Sequence, residues 1–189
     1  MPLNVPNLLT CLRIVLIPLI VGVYYLPDSL LDFAEKNVAA TGIFIFAAIT
    51  DWLDGYLARV LNQMSPFGAF LDPVADKLMV AGALIMLLQL ERVESVVALI
   101  IIGREIAISA LREWMAQIGQ SRSVAVAFVG KIKTVAQMIA IPLLLYDDMV
   151  FNIDPHIVGT ALIYAAAVLT LVSMAYYLKM ALPQINKRM

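Results

Sequence analysis

Six stretches of about 20 mostly apolar residues divide the chain, at 8–26, 38–57, 70–90, 95–115, 124–146 and 157–178. Each is long enough to cross the hydrocarbon layer of a bilayer as a helix. Apolar residues make up 62% of the 189 residues and charged residues 14%, which leaves too little polar surface to cover one domain in water. Backbone groups in lipid must be paired internally, and these segments have the length of spanning helices rather than strands. The expected fold is therefore an all-α membrane protein, a six-transmembrane-helix bundle led by a short interfacial segment at 2–7. The connections are short and polar or carry Pro or Gly, and no repeat or soluble appendage interrupts them, so 1–189 reads as one membrane domain. The N-terminus lacks a secretory signal's marks: no basic residue precedes the apolar run, Arg13 lies inside it, and no small-residue cleavage site follows.

Charge placement predicts the orientation. The first, third and fifth connections carry Lys36 and Arg92 as their only basic residues, beside Asp28, Asp32, Glu35, Glu91, Glu94, Asp147, Asp148 and Asp154. All other Lys and Arg residues lie toward the opposite face, including Lys179, Lys187 and Arg188, so both termini are expected in the cytoplasm. Tyr24, Tyr25 and Tyr146 at outer ends, and Trp114, Tyr176 and Tyr177 at inner ends, fit aromatic belts. With one cysteine, Cys11, and one histidine, His156, the chain offers no intramolecular disulfide and no multi-imidazole zinc site. A metal would be held mainly by oxygen, which favours magnesium or manganese.

Four aspartates stand inside the second and third apolar stretches. Asp51 and Asp54 are three residues apart and Asp72 and Asp76 are four apart, so each pair shares one helix face. A charged aspartate at that depth costs roughly 2.5–3.5 kcal/mol on insertion scales, so four together require compensation. The short connection at 60–68 would make these two helices antiparallel neighbours and bring the four carboxylates into one small volume. Two divalent ions, about 3.5–4 Å apart in typical two-metal sites, would relieve the repulsion and could clamp phosphate oxygens. Protonation, or pairing with basic side chains inside the bundle, is the alternative.

At these positions the sequence resembles the CDP-alcohol phosphotransferase family, whose motif is D-x2-D-G-x2-A-R, a spacer, then G-x3-D-x3-D. Asp51, Asp54, Gly55, Ala58, Arg59, Gly68, Asp72 and Asp76 match all eight fixed positions. The resemblance implies that Asp51, Asp54, Asp72 and Asp76 hold two divalent cations, with Asp76 also the general base. It further implies that Gly55, Arg59 and Ser65 contact the CDP part of a CDP-diacylglycerol substrate, and that the protein is a homodimer in a bacterial cytoplasmic membrane. A glycine without Cβ allows close approach of a ligand, and an arginine offers a planar fork to phosphate or a base edge. Gly68 is expected to relieve crowding between the second and third helices. Asn4, Pro6, Asn7 and Thr10 are similar to the family's N-terminal region, where Asn7 and Thr10 would line the nucleotide site; helix capping is the other use for such residues.

A second polar set occupies the fourth and fifth stretches. Arg104, Glu105, Ser109 and Arg112 are followed by Arg122, Gly130, Lys131, Lys133, Thr134 and Gln137. An Arg–Glu pair can serve as neutral glue within a bundle, yet the inner ends carry more cations than nearby carboxylates neutralise, which suits an anionic acceptor. Gly103-Arg104-Glu105-Ile106 and Gly130-Lys131-Ile132-Lys133-Thr134 resemble the bacterial branch of the family whose acceptor is sn-glycerol 3-phosphate. Arg104, Arg112, Lys131 and Lys133 are the implied phosphate contacts, with inositol phosphate as the rival acceptor. The expected reaction is phosphatidyl transfer on the cytoplasmic side, with lipid as partner and no role for nucleic acid. A divalent-cation transporter is the reading from another class; it would need a polar route to the outer face, where these spans are mostly apolar, and it leaves Gly55 and Arg59 without a purpose.

The orientation is open to direct test. Single cysteines at positions 62, 94 and 148, placed in a Cys11→Ser background, should divide in intact cells under an impermeant thiol reagent. Labelling at Glu94→Cys and Asp148→Cys but not at Asn62→Cys is expected; the inverse pattern would reverse the topology.

Overall fold

The computed structural model describes residues 4–61, 65–117, 128–150 and 153–186, and among them the chain forms six helices and no strand. These are α1 (Val5–Tyr24), α2 (Phe33–Val60), α3 (Pro66–Gln89), α4 (Ser95–Gln117), α5 (Phe128–Tyr146) and α6 (Pro155–Asn186). The helix boundaries follow local chemistry. Asp32 caps α2 by accepting from the Glu35 backbone N–H at 2.7 Å, while the Glu35 carboxylate accepts from the Asp32 N–H at 2.9 Å. This capping box starts α2 five residues before the apolar stretch. Ser65 caps α3, and Pro66 occupies the first turn, where a missing N–H costs nothing. Pro6 does the same for α1, so residues 5–7 belong to its first turn rather than to a separate interfacial segment. α3 ends in a Schellman turn, Arg92 N–H donating to Leu87 and Glu91 N–H to Leu88, with Glu91 at φ 59° where glycine is usual.

Three helices meet the length and hydropathy of a membrane span, 5–24, 33–60 and 155–179, and 132–146 forms a shorter apolar helix. The chain is a helical membrane protein. α3 and α4 carry Asp72, Asp76 and Lys77, and Arg104, Glu105, Arg112 and Glu113, which lower their hydropathy.

Packing corrects one expectation from the sequence. α2 and α3 touch only lightly, because α1 packs extensively on both and stands between them. α5 packs on α6 and α2, and α4 on α6 and α3. The core joining these helices is apolar and includes Ile20, Phe44, Met79, Leu84, Leu87, Ile101, Ile141 and Leu144. It separates two polar ends: the aspartate-bearing ends of α2 and α3 on one side, and a second cluster on the other. Tyr177 departs from its expected place in an aromatic belt; it is buried, with the Arg104 guanidinium over its ring at 5.6 Å.

The second cluster ties four helices at the end away from the aspartates. Buried Arg92 donates to the carbonyls of Leu144 and Leu145 at 3.0 and 2.8 Å and to Asn37 Oδ1 at 3.2 Å, and it pairs with Asp147 at 3.0 Å. Asp147 in turn meets His156 Nδ1 at 2.9 Å, and Tyr24 donates to Asn37 at 3.1 Å. Removing one partner of such a network strands the others without hydrogen bonds. Arg92→Leu should therefore destabilise the folded protein by about 3 kcal/mol, read as a lowered thermal midpoint in detergent. An unchanged midpoint would show that the cluster does not hold this end together.

Candidate active site

The site forms where α1 passes between the two aspartate pairs. Thr10 and Arg13, one turn apart on α1, face the carboxylates of both α2 and α3. Thr10 Oγ1 lies 2.8 Å from Asp72 Oδ1 and 3.3 Å from Asp54 Oδ2, so its single proton can serve either, and Asp72 is the nearer. Arg13 is 0% exposed. Its Nη1 contacts Asp51 Oδ1 at 2.6 Å and Asp76 Oδ1 as well, and its Nη2 pairs with Asp54 Oδ2. The four expected aspartates are thus brought together, but through α1. Asp54 is buried, whereas Asp51 and Asp76 keep close to half of their side-chain surface open.

Among the described residues no set of three or more carboxylate, imidazole or thiol groups is already spaced to hold a metal ion. Arg13 stands among three of the four carboxylates, so the pairing with a basic side chain that the sequence allowed is realised here. The donors are nevertheless all oxygen, four carboxylates and the Thr10 hydroxyl, and that chemistry fits hard divalent cations. The sequence reading gave Arg13 no role in the aspartate site. Its position in an apolar run, three residues after Thr10, was the available signal, since an intramembrane arginine requires a partner.

Two cavities flank the cluster. One, of about 280 Å³, is lined by Asn7, Gly55, Arg59, Ser65, Gly68 and Asp72, and so gathers most of the residues expected at the nucleotide. Ser65 is also built into the fold: its hydroxyl accepts from the Gly68 N–H at 3.0 Å and donates to Asn7 Oδ1 at 3.1 Å. Thr10 is buried beside this cavity, on the aspartates. Nothing lies within 4 Å of where a Gly55 Cβ would stand, which leaves room for a ligand at that backbone. Gly68 differs. A Cβ there would meet Asn7 Oδ1 at 2.6 Å, so it relieves crowding against α1 rather than against α2.

The other cavity, of about 270 Å³, is lined by Asp51, Asp76, Lys77, Glu105, Thr134 and Gln137 among others. Of the expected phosphate contacts, Arg104 and Lys133 do not line it. Both instead bind Glu105, which does: Arg104 Nη1 at 3.3 Å, and Lys133 through its ammonium. Arg104 also donates to Ser173 Oγ on α6 at 3.1 Å, which anchors it away from the cavity. The side chains of Arg112 and Lys131, and Arg122 as a whole, lie outside the described residues, as does Asn62. Lys77, adjacent to Asp76 in sequence, was not anticipated as a lining residue.

The comparisons with known proteins agree with the motif. A family model described as CDP-alcohol phosphatidyltransferase matches residues 3–172. A CDP-diacylglycerol–glycerol-3-phosphate 3-phosphatidyltransferase of Salmonella choleraesuis strain SC-B67 is 51% identical over 185 residues, 96% of each chain. Proteins of the same name from Shigella flexneri serotype 5b and Escherichia coli K12 are 52% and 51% identical with the same coverage.

The two motif glycines should respond differently to a methyl group. Gly68→Ala puts a methyl against the buried Asn7 amide, which must shift from its contact with Ser65, and should cost about 1–3 kcal/mol of stability, as overpacking does. Gly55→Ala has space for its Cβ and should leave the thermal midpoint unchanged while weakening binding of a CDP-bearing ligand. Equal midpoints for the two variants would contradict this packing.

Proposed function

The chain belongs to the CDP-alcohol phosphatidyltransferase family, and from that premise we propose that it transfers the phosphatidyl group of CDP-diacylglycerol to sn-glycerol 3-phosphate, giving phosphatidylglycerophosphate and CMP. The observation that carries the reading is the pair of cavities meeting at the aspartates, one bordered by Asp72 and the other by Asp51 and Asp76. A two-substrate transfer needs such an arrangement, because donor and acceptor must reach one phosphorus from different sides.

The donor's cytidine and diphosphate enter the cavity of Asn7, Gly55, Arg59 and Ser65, where Arg59 offers its fork to phosphate oxygens. Asp51, Asp54, Asp72 and Asp76 would hold two divalent cations, magnesium or manganese, which supply positive charge to the diphosphate as it is cleaved. On the other side, Asp76 accepts the proton of the glycerol 1-hydroxyl as that oxygen attacks the lipid-linked phosphorus. The bond from that phosphorus to the CMP oxygen then breaks, and CMP leaves into the first cavity. Thr134 and Gln137 suit the acceptor's hydroxyls, and the cations of α4 and α5, Arg104, Arg112, Lys131 and Lys133, set the positive field for its phosphate.

Around this chemistry all six helices span a bacterial cytoplasmic membrane, with both termini and the cavities on the cytoplasmic side. The basic residues gathered at that end support the orientation. The family resemblance supports a homodimer.

The test is an acceptor screen with purified protein and labelled CDP-diacylglycerol. Glycerol 3-phosphate should yield phosphatidylglycerophosphate and CMP in equal amounts, with inositol phosphate and serine inactive, and chelation should stop turnover. Asp76→Asn should lower turnover by about 10²–10⁴-fold while the protein still inserts. Lys133→Gln frees Glu105 at the wall of the acceptor cavity and should lower acceptor efficiency while leaving donor affinity intact. Turnover with another alcohol and none with glycerol 3-phosphate would overturn the acceptor assignment.

A further inference from the structure

We propose that Arg13 is a resident counter-ion of the acidic cluster: it holds Asp51, Asp54 and Asp76 together before a divalent cation binds, and it competes with that cation for the same carboxylate oxygens. The inference rests on the cation site of the proposed function and deepens it.

Arg13 is fully buried on α1, and both of its terminal nitrogens are committed to carboxylates from α2 and α3. Among the described residues its Nε has no hydrogen-bond partner, so the carboxylates are the polar contacts recorded for the guanidinium. An arginine keeps its charge under all ordinary conditions, and its planar fork can meet several carboxylates at once. Three carboxylates and one guanidinium leave the group net negative. Arg13 therefore offsets part of the repulsion among the carboxylates, and the cluster still attracts cations. Any cation coordinating Asp51 Oδ1, Asp54 Oδ2 and Asp76 Oδ1 needs the oxygens that Arg13 now engages. The fourth carboxylate, Asp72, has Thr10 of the same helix as Arg13 for its partner, with Asp72 the nearest of the acceptors around that hydroxyl. Arg13 is on this account a positioning residue, linking the packing of α1 to the loading of the site.

Stability and cation affinity should then move in opposite directions when Arg13 is changed, which a purely structural role would not produce. Wild type, Arg13→Gln and Arg13→Lys are purified in detergent, and their thermal midpoints are read in chelator and in Mg²⁺. Mn²⁺ binding is followed by electron paramagnetic resonance. Arg13→Gln should have a lower midpoint in chelator, a larger rise with Mg²⁺ than wild type, and Mn²⁺ affinity about tenfold tighter, because a competing charge-assisted contact is gone. Arg13→Lys, with a single-pointed charge, should fall between. Recovery of Arg13→Gln only with divalent cation present would also support the proposal. Loss of stability equal with and without Mg²⁺, or unchanged or weaker Mn²⁺ affinity in both variants, would overturn it. Absence of Mn²⁺ binding in wild type and variants alike would remove the cation site itself, and the proposal with it.

Discussion

A guanidinium set among carboxylates joins α1, α2 and α3 at the aspartate-bearing end of this bundle. Neither partner could stay at that depth alone, since an unpaired arginine or aspartate in a low-dielectric core is expelled or neutralised. Arg13 and the aspartates solve each other's problem, and the solution dictates where α1 runs. It passes between α2 and α3, which otherwise barely touch. Gly68 then lacks a side chain because Asn7 of α1 comes against it, and Ser65 both caps α3 and binds Asn7. The first turn of α1, the start of α3 and the end of α2 are thus one unit, built around charge.

The same constraint recurs at the opposite end with other residues. Arg92 satisfies carbonyls freed where α5 ends, and joins Asn37 of α2 to Asp147 beyond α5. Between the two polar ends lies the apolar core, with Ile20, Phe44, Leu84 and Ile141 all buried. A transport pathway would need polar side chains through that layer. The described residues place packed aliphatic and aromatic side chains there instead, which suits chemistry confined to one end.

How much of this could be read from the sequence depended on the range of the interaction. The helices, the shared face of each aspartate pair and the motif spacing are local properties, and they survive in the structure with boundaries moved by the Asp32–Glu35 capping box and by Pro6. The order of packing is not local. A short connection suggested that α2 and α3 pair directly, and only the three-dimensional arrangement shows α1 between them. For the same reason Arg13 read as one marker among several near the N-terminus, while Gly68 was matched to the wrong neighbour. Arg104 shows the limit from the other side. An arginine in an apolar run signals that something must pair with it, but not whether that partner is a ligand, Glu105, Ser173 or the ring of Tyr177.

The two cavities that meet at the aspartates are built on different foundations. The cavity lined by Gly55 is shaped by backbone and caps: the Ser65 hydroxyl on the Gly68 N–H, the Asn7 contact, the open face at Gly55. Changing Ser65, Asn7 or Gly68 disturbs a helix start or the packing of α1 on α3, so their identities are tied to the fold itself. The other cavity joins Asp51 of α2 and Asp76 and Lys77 of α3 to Glu105 of α4 and to Thr134 and Gln137 of α5, with Glu105 held by Lys133 and Arg104. The cavity at Gly55 thus rests on α1, α2 and α3 alone, while the one at Glu105 also draws on α4 and α5, and the aspartates of α2 and α3 border both.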